Sequence, residues 1–99
     1  MKKVKLTQQY VLGREGFTVG LKFNSESAQY YDVRRKAEQM YGRPWNRIFL
    51  YNCTPNPEWG YYRSKSKWGG IKPYIGFKTE AQLSMLLLSI KDIKNVGVR

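Results

Sequence analysis

Residues 59–80 read WGYYRSKSKWGGIKPYIGFKTE, and this stretch contains the clearest structural signals in the chain. Two runs, residues 59–63 and 71–77, are rich in the aromatic and β-branched residues that favour strands, and residues 64–70 between them are rich in Ser, Lys and Gly. The pattern predicts a β-hairpin, and Thr79 after it is a suitable cap for a helix. The predicted outward positions are Lys72, Tyr74 and Lys78, opposite to the inward Ile75 and Phe77.

The N-terminal quarter of the chain predicts a second hairpin. Between Lys3 and Leu12 apolar residues alternate with polar ones, which is typical of a half-buried strand. The turn residues Gly13–Gly16 follow, and alternation resumes over residues 17–23. We expect these two runs to pair as antiparallel strands.

Two helices and two shorter strands complete the prediction. Residues 26–41 contain neither proline nor glycine and have an apolar face; they follow the capping residues at 24–25 and end before Gly42. Residues 47–51 predict a short strand, and residues 95–99 a short last one. The predicted core face of the second helix comprises Leu83, Leu86, Leu87 and Ile90.

The order ββαβββα, with an optional final β, predicts an α+β fold in which two helices cover one face of an antiparallel sheet. Without its first strand the order is βαββαβ, the split-βαβ or ferredoxin-like arrangement, in which the other face of the sheet is open. The alternative is a plain ββαββα domain. Because no linker or change of composition divides the chain, residues 1–99 are interpreted as a single domain.

The charge of the chain indicates a polyanionic partner. Lys and Arg number 18 and Asp and Glu 7, so the formal net charge is +11. Such an excess of like charges repels itself in a compact state and exceeds what solubility requires, which is about 2–8 for a small domain. Nucleic acid is the commonest polyanion, and an acidic protein surface is the next candidate.

Composition argues against most catalytic sites. The chain has no histidine and one cysteine, Cys53, so an intrachain disulfide, a Cys/His zinc site and an imidazole base are all excluded. The seven acids are scattered, and no phosphate-binding loop is present. We predict no catalytic residue, metal or cofactor, and no membrane span, because no uncharged run approaches the ~20 residues that a span needs.

Residues 59–79 contain no acid, and their cations are interleaved with aromatic rings. Cations neutralise phosphates and rings stack on unpaired bases, so this stretch predicts nucleic-acid contact through the hairpin and the open sheet face. The structural alternative is that the rings lie in the core and the lysines only keep the hairpin soluble. The predicted phosphate-binding residues are Arg63, Lys65, Lys67 and Lys72, the stacking residues are Trp68, Tyr74 and Tyr62, and the sheet face adds Arg47 and Lys22.

The second predicted helix has apolar residues outside its core face, which indicates a further contact surface. Ala81, Met85 and Leu88 lie on that side. They favour an alternative function, a protein-binding inhibitor or adaptor that docks on an acidic protein, and they are also the candidate interface of a homodimer. A minor alternative is a ribosome-dependent RNase toxin, a class that cleaves RNA with Arg, Lys and Tyr instead of His; Arg63 and Tyr62 are its candidates here.

The last quarter of the chain adds a resemblance. The segment YIGFKTEA, residues 74–81, leads into a Leu-rich helix and resembles the strand-then-helix ending of small phage-encoded proteins. The resemblance implies a viral origin and no particular activity. Together with the lack of an apolar leader behind the N-terminal lysines, it predicts a cytoplasmic protein, in a bacterium or in the host of a phage.

Overall fold

The computed structural model describes residues 2–45, 57–65 and 70–97 of the chain. These residues form four strands and three helices. In chain order the elements are β1 (Lys2–Lys5), α1 (Val11–Arg14), β2 (Val19–Lys22), α2 (Ala28–Tyr41), β3 (Trp59–Lys65), β4 (Ile71–Phe77) and α3 (Glu80–Gly97).

The strands form one antiparallel sheet in the order β1-β2-β4-β3. Because β4 lies between β2 and β3, the unit β2-α2-β3 is a split βαβ, and β1 occupies the outer position beside β2. The predicted α+β fold and the β3–β4 hairpin are therefore confirmed. The predicted strand at residues 47–51 lies outside the described residues.

The face of the sheet that is covered by α2 and α3, here called the helix face, holds the larger core. Side chains from β2, β3 and β4 alternate onto this face and pack against both helices. Two hydrogen bonds fix the layers: Trp59 donates its indole N–H to the Gly42 carbonyl at 2.8 Å, and Tyr41 donates its hydroxyl to the Gln82 carbonyl at 2.7 Å. The buried members of the core are Val19, Leu21, Phe23, Tyr30, Val33, Ala37, Trp59, Ile75, Phe77, Leu83 and Leu86.

Local hydrogen bonds explain where the two long helices begin and end. The N-cap of α2 is Ser27, later than the predicted caps at 24–25, and its hydroxyl accepts from the Tyr30 N–H. Gly42 ends α2 with φ +85°, a conformation that side chains rarely adopt. Thr79 caps α3 as predicted. The helix runs through Gly97, so the expected last strand is wrong for residues 95–97. No helix in the described ranges is long and apolar enough to cross a bilayer.

The first predicted strand is shorter in the structure, and this changes the second face of the sheet. β1 ends at Lys5, and the chain then turns into α1 instead of continuing the strand. Leu6, Leu12 and Phe17 pack together with Trp45 as a smaller core on the side of the sheet opposite α2 and α3. The apolar residues at 6–12 therefore belong to a short helix and to the segment that leads into it. So short a segment does not distinguish the period of a helix from that of a strand.

A row of three glycines makes that second core possible. Gly20, Gly76 and Gly60 are direct partners across β2, β4 and β3. A Cβ placed on Gly60 would lie 2.9 Å from the Trp45 carbonyl oxygen and 3.0 Å from Trp45 Cβ, so only glycine allows this close approach, and at Gly76 a Cβ would lie 2.8 Å from Leu6 Cδ1. The expectation of an open second face is accordingly wrong over the glycine row.

Candidate functional site

Next to the glycine row, a second row of residues crosses all four strands on the second face. Tyr62 of β3 pairs with Tyr74 of β4, Tyr74 pairs with Lys22 of β2, and Lys22 pairs with Lys2 of β1. Directly opposed residues share a face, with Cβ atoms about 4.5–5.5 Å apart. The row therefore presents two rings followed by two cations in one continuous line.

The segment that covers the glycine row adds a third ring. Tyr10 lies at the N-terminus of α1, and its ring is 5.6 Å from that of Tyr74 with an interplanar angle of 63°, an edge-to-face contact. Together with Tyr62 these rings border a cleft of about 360 Å³, here called the tyrosine cleft. Its lining residues are Leu6, Gln9, Tyr10, Val11, Leu12, Arg14, Tyr62, Ser64 and Tyr74.

Cations without carboxylate partners surround the tyrosine cleft. Arg14 lines it, Lys22 is next to Tyr74 in the row, and Lys72 is paired with Ser64 on the same face. Among the described residues, the three ion pairs join Lys3 to Glu80, Arg35 to Asp32 and Arg63 to Glu26, so none uses a cation of this cleft.

Tyr74 keeps its phenolic proton at physiological pH. Burial, with a smaller contribution from Tyr10, raises the pKa of Tyr74 above its ordinary value. A neutral phenol stacks and exchanges hydrogen bonds, and it does not act as a base near pH 7. The groups that line the cleft or lie beside it are thus rings that can stack and cations that can contact an anion.

The acids of the chain lie almost entirely on the other side of the sheet. Glu58 accepts a hydrogen bond from Gln82 of α3 at 2.6 Å, and Glu26 accepts one from Tyr31 of α2 at 2.9 Å. Glu15, at the end of α1, is the exception. The acids that belong to α2 or α3, or contact them, are Glu26, Asp32, Glu38, Glu58, Glu80 and Asp92. Positive charge on the second face is thus left largely uncompensated.

Arg63 belongs to the helix face and not to the tyrosine cleft. Successive residues of a strand point to opposite faces, so Arg63 and Tyr62 are separated by the sheet. The Arg63 guanidinium lies 3.3 Å from the carboxylate of Glu26, and nearby the Arg34 guanidinium stacks 3.8 Å from the centre of the Tyr61 ring. Of the residues predicted to contact nucleic acid, Arg63 therefore lies on the opposite face of the sheet to Tyr62.

The other predicted site residues fall into three groups. Lys22, Lys72, Tyr62 and Tyr74 come together on the second face, and Lys65 ends β3 in register with Ile71. Met85 and Leu88 are 56% and 60% exposed, on the same side of α3 as the exposed Ala81. The predicted residues that lie outside the described ranges are Arg47, Lys67 and Trp68.

Sequence reasoning missed Tyr10 and Arg14 as members of the site. Tyr10 was assigned to a strand core, since the alternation of residues 3–12 includes it. One sequence signal does indicate that a segment packs over the sheet here. Each of three strands has a glycine at an outward position, at Gly20, Gly60 and Gly76. Three adjacent missing side chains on one sheet face leave room for another segment.

Comparisons of the chain with protein families, with curated proteins and with solved structures found no match. Within the described residues, no group of three His, Cys, Asp or Glu side chains is placed to hold a metal ion. The functional conclusion consequently depends on the site itself.

Proposed function

We propose that the protein is a non-catalytic nucleic-acid-binding protein whose binding site is the tyrosine cleft and its surrounding lysines. The single observation that carries the proposal is the cross-strand row of Tyr62, Tyr74, Lys22 and Lys2, with Tyr10 and Lys72 on the same face. Among the described residues, none of these lysines takes part in an ion pair. Such a surface attracts a phosphate backbone and offers rings to its bases. RNA and DNA are both present in the cytoplasm, where we expect the protein to act.

A fluorescence-anisotropy titration with labelled RNA and DNA oligonucleotides at two salt concentrations tests the proposal. Four cations near the cleft predict a slope of log K against log salt of about −3 for a single strand. The double variant Lys22→Gln/Lys72→Gln is expected to weaken binding and to reduce the magnitude of the slope by about 0.7 for each lysine.

The matched control is Lys5→Gln/Lys36→Gln, which removes the same charge elsewhere. Lys5 is paired with Val19 and so lies on the helix face, and Lys36 belongs to α2. We expect this control to bind nearly as well as the unchanged protein. Equal losses in the two double variants would show that net charge alone drives binding, and no binding at low salt would end the proposal.

A second candidate, self-association or docking to another protein, is favoured by one observation, the exposed stripe on α3. Ala81, Ser84, Met85 and Leu88 follow one another at helical spacing and none is charged. Two chains of charge +11 repel each other, so a two-fold contact needs a patch without cations, and this stripe is one; a second copy is the occupant that we favour.

Analytical ultracentrifugation tests this second candidate. A dimer that is lost in Met85→Gln/Leu88→Gln supports the homodimer. A monomer at every concentration argues against it and leaves an acidic partner protein as the remaining use of the stripe. Retention of one specific partner after nuclease treatment, and its loss in the same variant, would then favour the inhibitor or adaptor function.

The ribonuclease alternative receives no support from the geometry. It relied on Tyr62 and Arg63, which lie on opposite faces of β3, and the Arg63 guanidinium is occupied by Glu26. One phosphate cannot contact both side chains. Growth arrest on expression that is relieved by Tyr62→Phe would nevertheless favour it over the binding function.

A further inference from the structure

We infer that the tyrosine cleft receives an unpaired base and that the protein therefore selects single-stranded over duplex nucleic acid. The inference rests on the proposed function and specifies its ligand. It follows from the arrangement of the three rings, from the polar groups between them and from the way in which the glycine row limits the accessible part of the sheet.

The rings form a corner and not a flat platform. Tyr10 and Tyr74 meet at 63°, so a base that stacks on one ring presents its edge to the other. Tyr62 is the neighbour of Tyr74 in the cross-strand row and closes the β3 side. All three rings are only partly exposed, because they pack against the smaller core. A ligand must therefore bring an aromatic face into the cleft.

Bases in a duplex cannot satisfy this requirement. Their faces are covered by the neighbouring base pairs, and their edges are accessible only through the grooves. The helix on this face, Val11–Arg14, has four residues and lies against the sheet, so the tyrosine cleft offers no recognition helix to a groove. An unpaired base, in contrast, has a free π-face and can rotate into a cleft.

Polar groups in the cleft match the edge of a base and the backbone on both sides of it. Gln9 and Ser64 line the cleft and can each donate and accept hydrogen bonds. Lys72 lies beside Ser64, and Lys22 lies beside Tyr74, so the two ammonium groups border the rings from different strands. A nucleotide held in the corner would have its flanking phosphates near these cations.

Affinity measurements on one sequence in two forms test the inference. A 12-nucleotide strand and the same sequence closed into a hairpin duplex, each as RNA and as DNA, are titrated at about 0.1 M salt. We expect at least a tenfold preference for the single strand. Tyr10→Leu and Tyr74→Leu should each weaken single-strand binding by about 5- to 150-fold and leave duplex binding unchanged.

Two controls separate stacking from loss of structure. Tyr74→Phe keeps the ring and should retain most of the affinity, and Tyr31→Leu, on the exposed side of α2, should retain all of it. Photo-crosslinking of a strand containing 4-thiouridine or 4-thiothymidine should identify Tyr10, Tyr62 or Tyr74. Equal or tighter duplex binding that is insensitive to Tyr10 and Tyr74 would overturn the inference and leave nucleic-acid binding intact, whereas no binding of any probe would remove both.

Discussion

At the scale of single residues, Tyr30 places a polar hydroxyl inside the core. It is fully buried on the helix face, its ring contacts Phe23 edge-to-face at 5.2 Å, and its hydroxyl has no hydrogen-bond partner within the described part of the chain. A buried polar atom without a partner costs about 1–3 kcal/mol. The hydroxyl therefore lowers the stability of a core that otherwise accommodates the ring well.

Tyr30→Phe is expected to stabilise the protein by about 1 kcal/mol, because it removes that hydroxyl and keeps the ring. Urea denaturation of the variant and the parent measures the difference. Tyr31→Phe is the control, since the Tyr31 hydroxyl is exposed and bonded to Glu26, and it should change stability little. Destabilisation by Tyr30→Phe would show that the hydroxyl has a partner in solution.

The same residue predicts a pH dependence. Burial is the main cause that raises the pKa of Tyr30 from 10.0 to about 12. The folded protein holds this proton more tightly than the unfolded chain does. The stability that comes from the raised pKa is therefore fully present below pH 10 and is lost as the pH rises toward about 12. Between pH 9 and about 12, the free energy of unfolding should fall more steeply with pH for the parent than for Tyr30→Phe. The same slope in both proteins would show that Tyr30 does not cause the pH dependence.

At the scale of elements, the start of α3 depends on a reciprocal pair of hydrogen bonds. The Gln82 N–H donates to the Thr79 hydroxyl at 3.2 Å, and the Thr79 N–H donates to the Gln82 side-chain oxygen at 3.0 Å. Thr79→Ala should cost about 1 kcal/mol in urea denaturation, whereas Thr79→Ser should cost less because it keeps the hydroxyl. Equal losses in both variants would assign the effect to the threonine methyl group.

The glycine row makes a prediction about the attachment of the N-terminal segment. Gly76→Ala should destabilise by about 1–3 kcal/mol, because its Cβ would collide with Leu6 and Leu12. Leu6→Ala should therefore cost less in the Gly76→Ala background than in the parent, and a double-mutant cycle measures this coupling. Additive effects would mean that the segment does not contact the row in solution.

Sequence patterns identified the elements that have several turns or long strands and missed the short one. The β3–β4 hairpin and α2 were predictable because seven or more residues repeat a period and turn or capping residues bound them. α1 has only four residues, and its contacts at Leu6 and Leu12 fit a strand equally well. The position of α1 is set by the space above the glycine row. That space exists only once the strands have paired, so the local sequence of α1 does not show it.

At the scale of the whole molecule, the net charge of +11 gives folding and binding opposite dependences on salt. Repulsion among the cations opposes the compact state, so raising salt from about 0.01 to 0.15 M should raise the melting temperature of the free protein. The same change should weaken oligonucleotide binding. A melting temperature that falls with salt would indicate that ion pairs, such as that of Arg63 with Glu26, outweigh the repulsion.

The residue types of the candidate site could be predicted from the sequence, but only some of the residues that form it could. Composition pointed to cations with rings, and alternation placed Lys72 and Tyr74 together. The sequence could not show that Glu26 neutralises Arg63, or that Tyr10 reaches Tyr74, because both contacts join residues that are far apart in the chain and depend on the packed fold.

The register of β3 on β4 decides which side chains of β3 lie on each face of the sheet. A slip by one residue would exchange every side chain of β3 between the two faces, sending Arg63 toward the cleft and Tyr62 toward the helices. Trp59, held by the Gly42 carbonyl, would have to leave the interior for this to happen. The burial of Trp59 on one side of the sheet thus fixes which side chains of β3 lie on the other, and a one-residue deletion within β3 is expected to remove Tyr62 from the tyrosine cleft.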